Sequence, residues 1–229
     1  MVRGGFVALV MGVLMVTACG SDYRYVSNRE AGAFFKVPDS WRLYEEGDLL
    51  RAEDDSISED DVEGLAETVW LRGFDAADEP APEHVVDVTA ESPRGYAEVR
   101  ALSETERDGL DYGALRRSGF PLHDPSTGEA VDPLEFAAQD PEGVITVLDY
   151  QDEGTLGELE LDEGLRGVRL VTRIALEDEE PVVLEQVSVV DAATRRHYSF
   201  TVGCTERCWE DNEDVIREIA DSWTLKVQP

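Results

Sequence analysis

Two cysteines near the C-terminus, Cys204 and Cys208, are separated by three residues and could do chemistry as a pair. Two such thiols can form a structural disulfide, act as a redox centre or supply two ligands to a metal ion. Thioredoxin-like redox motifs have only two intervening residues. A zinc site needs four ligands, and the one histidine nearby is His197. The spacing therefore favours a disulfide, provided that the chain reaches an oxidising compartment.

The N-terminal segment predicts export from the cytoplasm. Arg3 gives the start of the chain a positive charge, and residues 4–18 contain no charged side chain. A cationic start followed by a short apolar run is typical of a secretory signal peptide. The run is too short for a spanning helix, which needs about 20 apolar residues. We expect residues 1–18 to be a signal peptide that is removed on export.

The apolar run ends in Val16-Thr17-Ala18-Cys19-Gly20. This segment resembles the lipobox of bacterial lipoproteins, in which an aliphatic residue and two small residues precede a cysteine. The resemblance implies that the thiol of Cys19 receives diacylglycerol and that cleavage makes Cys19 the first residue of the mature chain. Two acyl chains anchor a protein firmly, whereas one does so only marginally. The expected location is the extracytoplasmic face of the cell membrane, with membrane lipid as a partner through the acyl anchor. The alternatives are an ordinary secretory signal and an uncleaved signal anchor.

Acidic residues number 51 and basic residues 20, which gives a formal net charge of −31. This charge argues against nucleic acid as a partner, because the phosphates would be repelled. It also disfavours a domain lying flat on anionic lipid, which cationic patches attract. Residues 19–32 are therefore expected to form the lipidated end and a flexible tether, so that the domain stands off in solvent. The acidic residues predict either a solvated surface or a cation-binding surface.

One acidic stretch has the spacing of a calcium-binding loop. Asp149, Gln151, Glu153 and Glu160 occupy positions 1, 3, 5 and 12 of such a loop, and Gly154 occupies position 6. Calcium prefers oxygen ligands, and glycine permits the sharp turn. However, Gln and Glu replace the shorter Asp or Asn, and a strand rather than a helix is expected before the loop. We expect a hairpin turn and no cofactor, with Ca²⁺ bound by these side chains as the alternative.

The three histidines, His84, His123 and His197, belong to no recognisable catalytic motif. No two of them form a metal-binding motif, and the chain has neither a Gly-x-Ser-x-Gly turn nor a glycine-rich phosphate loop after a strand. His123 lies in a predicted loop beside Asp124, where an exposed polar side chain is the ordinary interpretation. We therefore expect no enzyme activity, with a hydrolase built from scattered residues as the alternative.

Hydrophobic periodicity predicts the elements that must position these residues, in a mixed α and β order. Three apolar, β-branched runs in the last third of the chain predict an antiparallel meander, followed by an amphipathic helix. The expected strands are residues 33–37, 41–44, 67–74, 144–150, 167–176, 181–190, 195–202 and 223–227. The expected helices are residues 96–102, 108–119 and 209–222, with a strand as the alternative for the first. Residues 120–143 contain four prolines and are expected to be rich in loops.

Both ends of the domain resemble a known family. Phe34–Trp41, an apolar strand followed by a proline turn and a tryptophan, is similar to the first strands of PsbP-like domains, and Asp221–Leu225 is similar to their final strand. Actinobacterial lipoproteins of the LpqN type combine such a domain with a lipobox, and some have a cysteine pair before the last helix. The resemblance implies an α+β fold, an α/β/α sandwich with a central antiparallel sheet, formed by a single PsbP-like domain over residues 33–229.

The same resemblance implies a function, because PsbP-like proteins are mostly non-enzymatic binding or assembly factors. The sequence thus predicts a membrane-anchored extracytoplasmic lipoprotein that acts as a binding or assembly module of the cell envelope. Its expected partner is an envelope protein, lipid or glycan that the sequence does not identify. The alternative is a lipoprotein that binds a cation or another small ligand.

Overall fold

The structure is a computed structural model, and it describes residues 22–53, 56–87, 89–118, 123, 128, 130–139, 143–152, 155–156, 159–160, 164–175 and 177–226. The predicted signal peptide and Cys19 lie outside these residues. Among the helices that are described, none combines the length and the apolar character needed to cross a membrane.

Runs of strands are separated by one or more helices along the described chain. The strands are β1 Tyr23–Asn28, β2 Ala33–Pro38, β3 Arg42–Glu45, β4 Val69–Asp75, β5 Arg94–Ala101, β6 Ile145–Asp152, β7 Thr155–Leu156, β8 Leu159–Glu160, β9 Arg166–Ile174, β10 Val182–Val190, β11 Arg196–Thr205 and β12 Thr224–Leu225. The helices are α1 Glu46–Glu53, α2 Glu59–Ala66, α3 Glu104–Asp108, α4 Tyr112–Ser118, α5 Pro133–Gln139 and α6 Glu206–Asp221, with a short 3-10 helix at Pro82–Val86.

A central sheet of seven strands has the order β3-β4-β5-β11-β10-β9-β6, and every neighbouring pair is antiparallel. β9, β10 and β11 form the meander that the sequence predicts, because long β-branched runs alternate with short connections. A second sheet has the order β1-β2-β12, so that strands from the two ends of the described chain share β2 as a neighbour.

The side chains of β10 face two different layers. Val183 and Val189 belong to the main core, which includes residues of α6 and of the small sheet. Val182 and Leu184 pack with residues of α5 and β6, and Val190 packs with residues of α4. Because alternate residues of a strand point to opposite faces, helices cover both faces of the central sheet. The predicted α+β fold, an α/β/α sandwich with a central antiparallel sheet, is confirmed.

An aromatic cluster forms the main core between the two sheets. The ring of Phe35 lies 5.6 Å from that of Phe200 and 6.0 Å from that of Trp223, and Phe74 lies 5.8 Å from Phe200. All four side chains are buried. Such ring pairs contribute roughly 0.5–1.5 kcal/mol each beyond the burial of their area. The cluster therefore fixes the small sheet and the end of α6 against the central sheet.

Two segments differ from the predicted secondary structure. Residues 96–102 were expected to form a helix, and this prediction is wrong: they belong mostly to β5, which lies between β4 and β11. Two neighbouring strands satisfy the backbone of β5, and Ala97 and Val99 point into the core at the spacing of a strand. Within the expected loops, residues 133–139 form α5, whose Phe136 packs against the core residues of β6.

The expected tether also differs from the structure. Residues 23–28 form β1, which pairs with β2 along its whole length, and Val26 is buried in the main core. Pairing with a neighbouring strand and burial of one side chain order this polar segment despite its composition. Only three residues therefore separate Cys19 from the first described strand.

Candidate functional site

A buried histidine lies between two serines beneath α4. Nε2 of His197 on β11 lies 2.7 Å from Oγ of Ser188 on β10 and 2.9 Å from Oγ of Ser118 at the end of α4. The two hydroxyl oxygens are 2.8 Å apart, and Ser118 also donates to the carbonyl of Leu115 at 2.9 Å. A serine–histidine contact of this length is the one that activates nucleophilic serines, so this cluster is a candidate active site.

The hydrogen bonds indicate which ring nitrogen carries the proton. Ser118 donates to the Leu115 carbonyl, so its oxygen accepts from Ser188. The oxygen of Ser188 then accepts from Nε2–H of His197. This inferred assignment satisfies every donor and leaves only Nδ1, as an acceptor, without a partner among the described residues. The opposite tautomer would bury an unpaired Nδ1–H, which costs about 1–3 kcal/mol.

This arrangement does not activate Ser188. A serine nucleophile needs a histidine nitrogen that accepts its proton and a carboxylate that orients the ring, whereas Nε2 donates here and Nδ1 has no carboxylate partner among the described residues. Ser188 and His197 are each 1% exposed, so a substrate cannot reach them. Burial, and then the Arg100 guanidinium, lower the pKa of His197 to about 4, so that the ring is neutral near pH 7.

A second polar cluster ties the 3-10 helix to the end of β4. Oδ2 of Asp75 lies 2.8 Å from Nδ1 of His84, and the same carboxylate accepts from two backbone N–H groups of the intervening loop at 2.9 and 3.2 Å. Arg94 is 3% exposed, and its Nη2 lies 3.8 Å from Oδ1 of Asp87. Burial lowers the pKa of Arg94. Because the Asp75 carboxylate is used by its own loop, we assign this cluster a structural role.

Two open clefts lie at opposite ends of β1. The cleft at its N-terminal end has a volume of about 700 Å³ and is lined by Tyr23, Asp39 and Trp41 among others. The cleft at its C-terminal end, which we call the arginine cleft, has a volume of about 500 Å³ and lies where β1 and β5 end and β4 and β11 begin. The residues lining the arginine cleft include Arg29, Arg100, Arg196, Glu30, Glu67 and Trp70.

Cys204 and Cys208 form a disulfide, as their spacing predicts, with Cα atoms 5.9 Å apart. Cys204 lies near the end of β11 and Cys208 in the first turn of α6, and both are buried. The bond therefore joins the sheet to the last helix at the point where the chain turns from one to the other.

The predicted calcium ligands are spread over a strand and a hairpin. Asp149 and Gln151 lie on β6, and Nε2 of Gln151 donates to Oδ2 of Asp149 at 3.2 Å. Glu160 belongs to β8, which pairs with β7, and Glu153 lies outside the described residues. Within the described ranges, no three His, Cys, Asp or Glu side chains form a group that could hold a metal ion. Calcium binding at these four residues remains a prediction of the sequence.

His123 was a candidate site residue on the basis of the sequence, whereas the cluster around His197 was not predicted. His123 is exposed, and its backbone pairs with that of Ala130. The turn at residues 191–194 is the sequence feature from which the cluster could have been predicted. An antiparallel pairing across this turn places Val190 opposite His197, and it puts Ser188 two residues along the same face.

Three solved structures show distant similarity to the chain. Cyanobacterial PsbP (CyanoP) from Synechocystis sp. PCC 6803 is 12% identical, with 92% of this chain and 99% of that chain covered and a TM-score of 0.43. A protein of unknown function from Pseudomonas aeruginosa is 11% identical, with coverages of 90% and 98% and a TM-score of 0.37. The Ran-binding protein Mog1p of Saccharomyces cerevisiae is 9% identical, with coverages of 89% and 95% and a TM-score of 0.40.

No protein-family model matches the chain, and no curated protein matches it. The class of protein is therefore defined by the strand order and by the two helix-covered faces of the central sheet. It is an α+β sandwich domain in which the buried serine–histidine pair is sealed from solvent and two clefts open at the ends of β1.

Proposed function

We propose that the protein is a lipid-anchored extracytoplasmic lipoprotein of the LpqN type that acts as a non-catalytic binding or assembly module of the cell envelope. The observation that carries this proposal is the position of β1. The first described strand begins at Tyr23, so three residues lie between it and the lipobox cysteine, Cys19. The segment with lipobox character thus lies just before the first described strand, which supports the removal of residues 1–18.

The short linker sets how the domain is held. Four residue steps from Cys19 to Tyr23 span at most about 14 Å when fully extended. A lipid on Cys19 therefore keeps the start of β1 close to the membrane surface, nearer than a tether reaching residue 32 would allow. The net charge of −31 opposes contact between the rest of the domain and anionic lipid. On this proposal the remainder of the domain points away from the bilayer.

The buried cluster supports a binding role over a catalytic one. Ser188 and His197 are in contact, but both are sealed beneath α4 and the ring nitrogen donates to the serine. Their 2.7 Å contact nevertheless makes a hydrolase the second candidate function. A fluorophosphonate probe that labels active serines distinguishes the two. We expect no labelling of the protein, and labelling that is lost in Ser188→Ala would assign the hydrolase instead.

The lipid anchor is tested by expressing the full chain with its own leader in a bacterial host and measuring the mass of the N-terminal peptide. We expect a peptide that begins at Cys19 and has the mass of diacylglycerol added. Cys19→Ser should abolish the modification and release the protein from the membrane fraction. Cys204→Ser is the matched control, because it removes a thiol and leaves the lipobox intact. An intact leader, or an unmodified Cys19 thiol, would contradict the proposal.

A further inference from the structure

The small sheet of β1, β2 and β12 has one face in the main core and one face outside it. Val26 on β1 and Phe35 on β2 are cross-strand partners, and both belong to the main core. Successive residues of a strand point to opposite faces of a sheet. Tyr25, Ser27 and Phe34 therefore lie on the other face, which we call the outer face of the small sheet.

The outer face presents aromatic side chains. Tyr25 is 75% exposed, the largest fraction among the exposed large hydrophobic side chains that the structure describes. Phe34 is half-buried and lies opposite Ser27, so it is a diagonal neighbour of Tyr25. Tyr23 is half-buried at the start of the same face. An exposed aromatic patch on a folded domain usually marks an interaction site.

The charge of the small sheet differs from that of the whole chain. The protein has 51 acidic residues, yet the three strands of this sheet contain none, and they include Arg24 and Lys36. Glu218 of α6 reaches the outer face, where it is paired. Nζ of Lys36 donates to its Oε1 at 2.5 Å, and the hydroxyl of Tyr23 donates to its Oε2 at 2.6 Å. The outer face is therefore a part of the surface where repulsion from anionic lipid is weak.

The acidic helix α6 approaches the small sheet from the side of β12. Ser222, two residues before β12, accepts from the backbone N–H of Lys36 on β2 at 3.0 Å. β1 is the edge strand on the other side of β2. Contact centred on β1 thus keeps a negatively charged surface away from the exposed carboxylates of α6, such as Glu210 and Asp214.

We propose that the outer face of the small sheet, with Tyr25 at its centre, lies in the interfacial region of the membrane that holds the protein. This inference rests on the proposed lipid anchor. Six residue steps from Cys19 to Tyr25 span at most about 21 Å, so an anchored domain keeps Tyr25 close to the lipid headgroups. Tyrosine is enriched at membrane–water interfaces, because its ring is apolar and its hydroxyl is polar.

A second contact beside the anchor would orient the domain on the bilayer. The ring of Phe35 on β2 packs against Phe74 of β4 and Phe200 of β11. β6, at one edge of the central sheet, is separated from β11 by β10 and β9. The small sheet would therefore face the lipid, and β6 would stay in solvent.

The test measures the accessibility of a nitroxide label on the full chain, expressed with its own leader and reconstituted in vesicles of phosphatidylethanolamine and phosphatidylglycerol. A label on Ser27→Cys reports on the outer face without replacing an aromatic side chain. A label on Leu148→Cys is the matched control, because Leu148 is a 53% exposed apolar residue of β6. The introduced cysteine is the free thiol, since Cys19 is lipidated on this proposal and Cys204 and Cys208 form a disulfide.

We expect the label at position 27 to collide with oxygen, relative to a water-soluble nickel complex, several-fold more often than the label at position 148. Adding Tyr25→Asp to the Ser27→Cys protein should return the label to the aqueous value, because a carboxylate replaces the aromatic ring at the interface. Leu65→Asp adds the same charge at an exposed residue of α2 and should leave the label at position 27 unchanged. Thermal unfolding shows whether each variant is folded.

Flotation with the vesicles tests the lipid anchor separately. If the protein floats and the label at position 27 is as accessible to the nickel complex as the label at position 148, the membrane contact is wrong and the anchor stands. If the protein does not float, the anchor is wrong and the contact falls with it. Spin–spin broadening at position 27 that grows with protein concentration in detergent would assign the outer face to a second copy of the chain instead.

Discussion

Nε of Arg169 on β9 donates to Oε1 of Glu185 on β10 at 2.6 Å, on the face of the central sheet that α6 covers. Nη1 of Arg169 also donates to Asp221, the last residue of α6, at 2.6 Å. Glu185 is fully buried, and its Oε2 has no hydrogen-bond partner among the described residues. Burial raises the pKa of Glu185, and the nearby Arg169 opposes that effect. The pair thus connects two central strands to the end of the last helix.

Removing one member of this pair should be more harmful than removing both. Glu185→Ala leaves the guanidinium of Arg169 buried without its nearest carboxylate, and we expect a loss of about 3–5 kcal/mol in the free energy of unfolding. The double substitution Arg169→Met with Glu185→Leu should be nearly neutral, because apolar side chains of similar size replace the charges. Urea unfolding of the three proteins measures this. A double variant less stable than Glu185→Ala would contradict the explanation.

The stability of the protein should fall in acid partly through His197. The pKa of His197 is about 4 in the folded protein and about 6.5 when unfolded. At a pH between these two pKa values, the unfolded chain binds more protons than the folded protein. The contribution of the neutral His197 to stability is therefore fully present above about pH 6.5 and is lost as the pH falls towards 4. The largest possible loss is about 3 kcal/mol.

His197→Gln tests this pH dependence, because the amide can still donate to Ser188 but does not titrate. We expect the variant to be less stable than the unmodified protein at about pH 7 and to lose less stability on acidification to about pH 4.5. Urea midpoints at the two pH values give the comparison. Equal losses in both proteins would show that other groups, such as the paired carboxylates, account for the acid sensitivity.

Breaking the disulfide should lower the stability of the folded protein moderately. Cys204→Ser and Cys208→Ser each open a loop of about five residues, which costs ~2 kcal/mol on the chain-entropy model. Because both cysteines are buried between β11 and α6, we expect the two variants to have the same lowered melting temperature. A reducing agent should lower the melting temperature of the unmodified protein to a similar value and leave both variants unaffected. An unchanged melting temperature in both variants would argue against the bond.

Substitution by alanine should have opposite effects on the stability of the protein at two glycines, Gly95 and Gly64. A Cβ at Gly95 on β5 would lie 1.9 Å from the backbone oxygen of Thr201 on β11, and neither strand can move without breaking the sheet. We expect Gly95→Ala to destabilise the protein by about 3 kcal/mol or more. At Gly64 in α2 a Cβ meets nothing within 4 Å, so Gly64→Ala should stabilise the helix by up to about 1 kcal/mol. Thermal unfolding distinguishes the two, and equal effects would contradict this account.

Sequence patterns predict the structure well where local pattern and packing agree. The runs that form β9, β10 and β11 are long and β-branched, and α6 has a clear apolar stripe, so their type can be predicted without knowledge of their neighbours. β5 is different because Glu98 and Arg100 interrupt its apolar residues. Arg100 pairs with Glu98 and with Glu106, and the contact with Glu106 depends on the fold.

The buried cluster and the arginine cleft could not be predicted for the same reason. Ser118 reaches His197 only because α4 packs against β9 and β10, and the two residues are 79 positions apart in the sequence. Arg29, Arg100 and Arg196 come from three distant segments that meet at the end of the sheet. Only the disulfide could be predicted in full, because its two residues are close in sequence and in space.

The pairing of β12 with β2 has a consequence for the way this chain folds during synthesis. Ala33 and Phe34 pair with Leu225 and Thr224, which are synthesised long after them. Because a chain is made from its N-terminus, β2 has both neighbours, and Trp223 fills the aromatic core, only after residues 223–225 have been made. Until then β2 lacks one of its two neighbours, so the small sheet and the aromatic core are completed only after the central meander has been made.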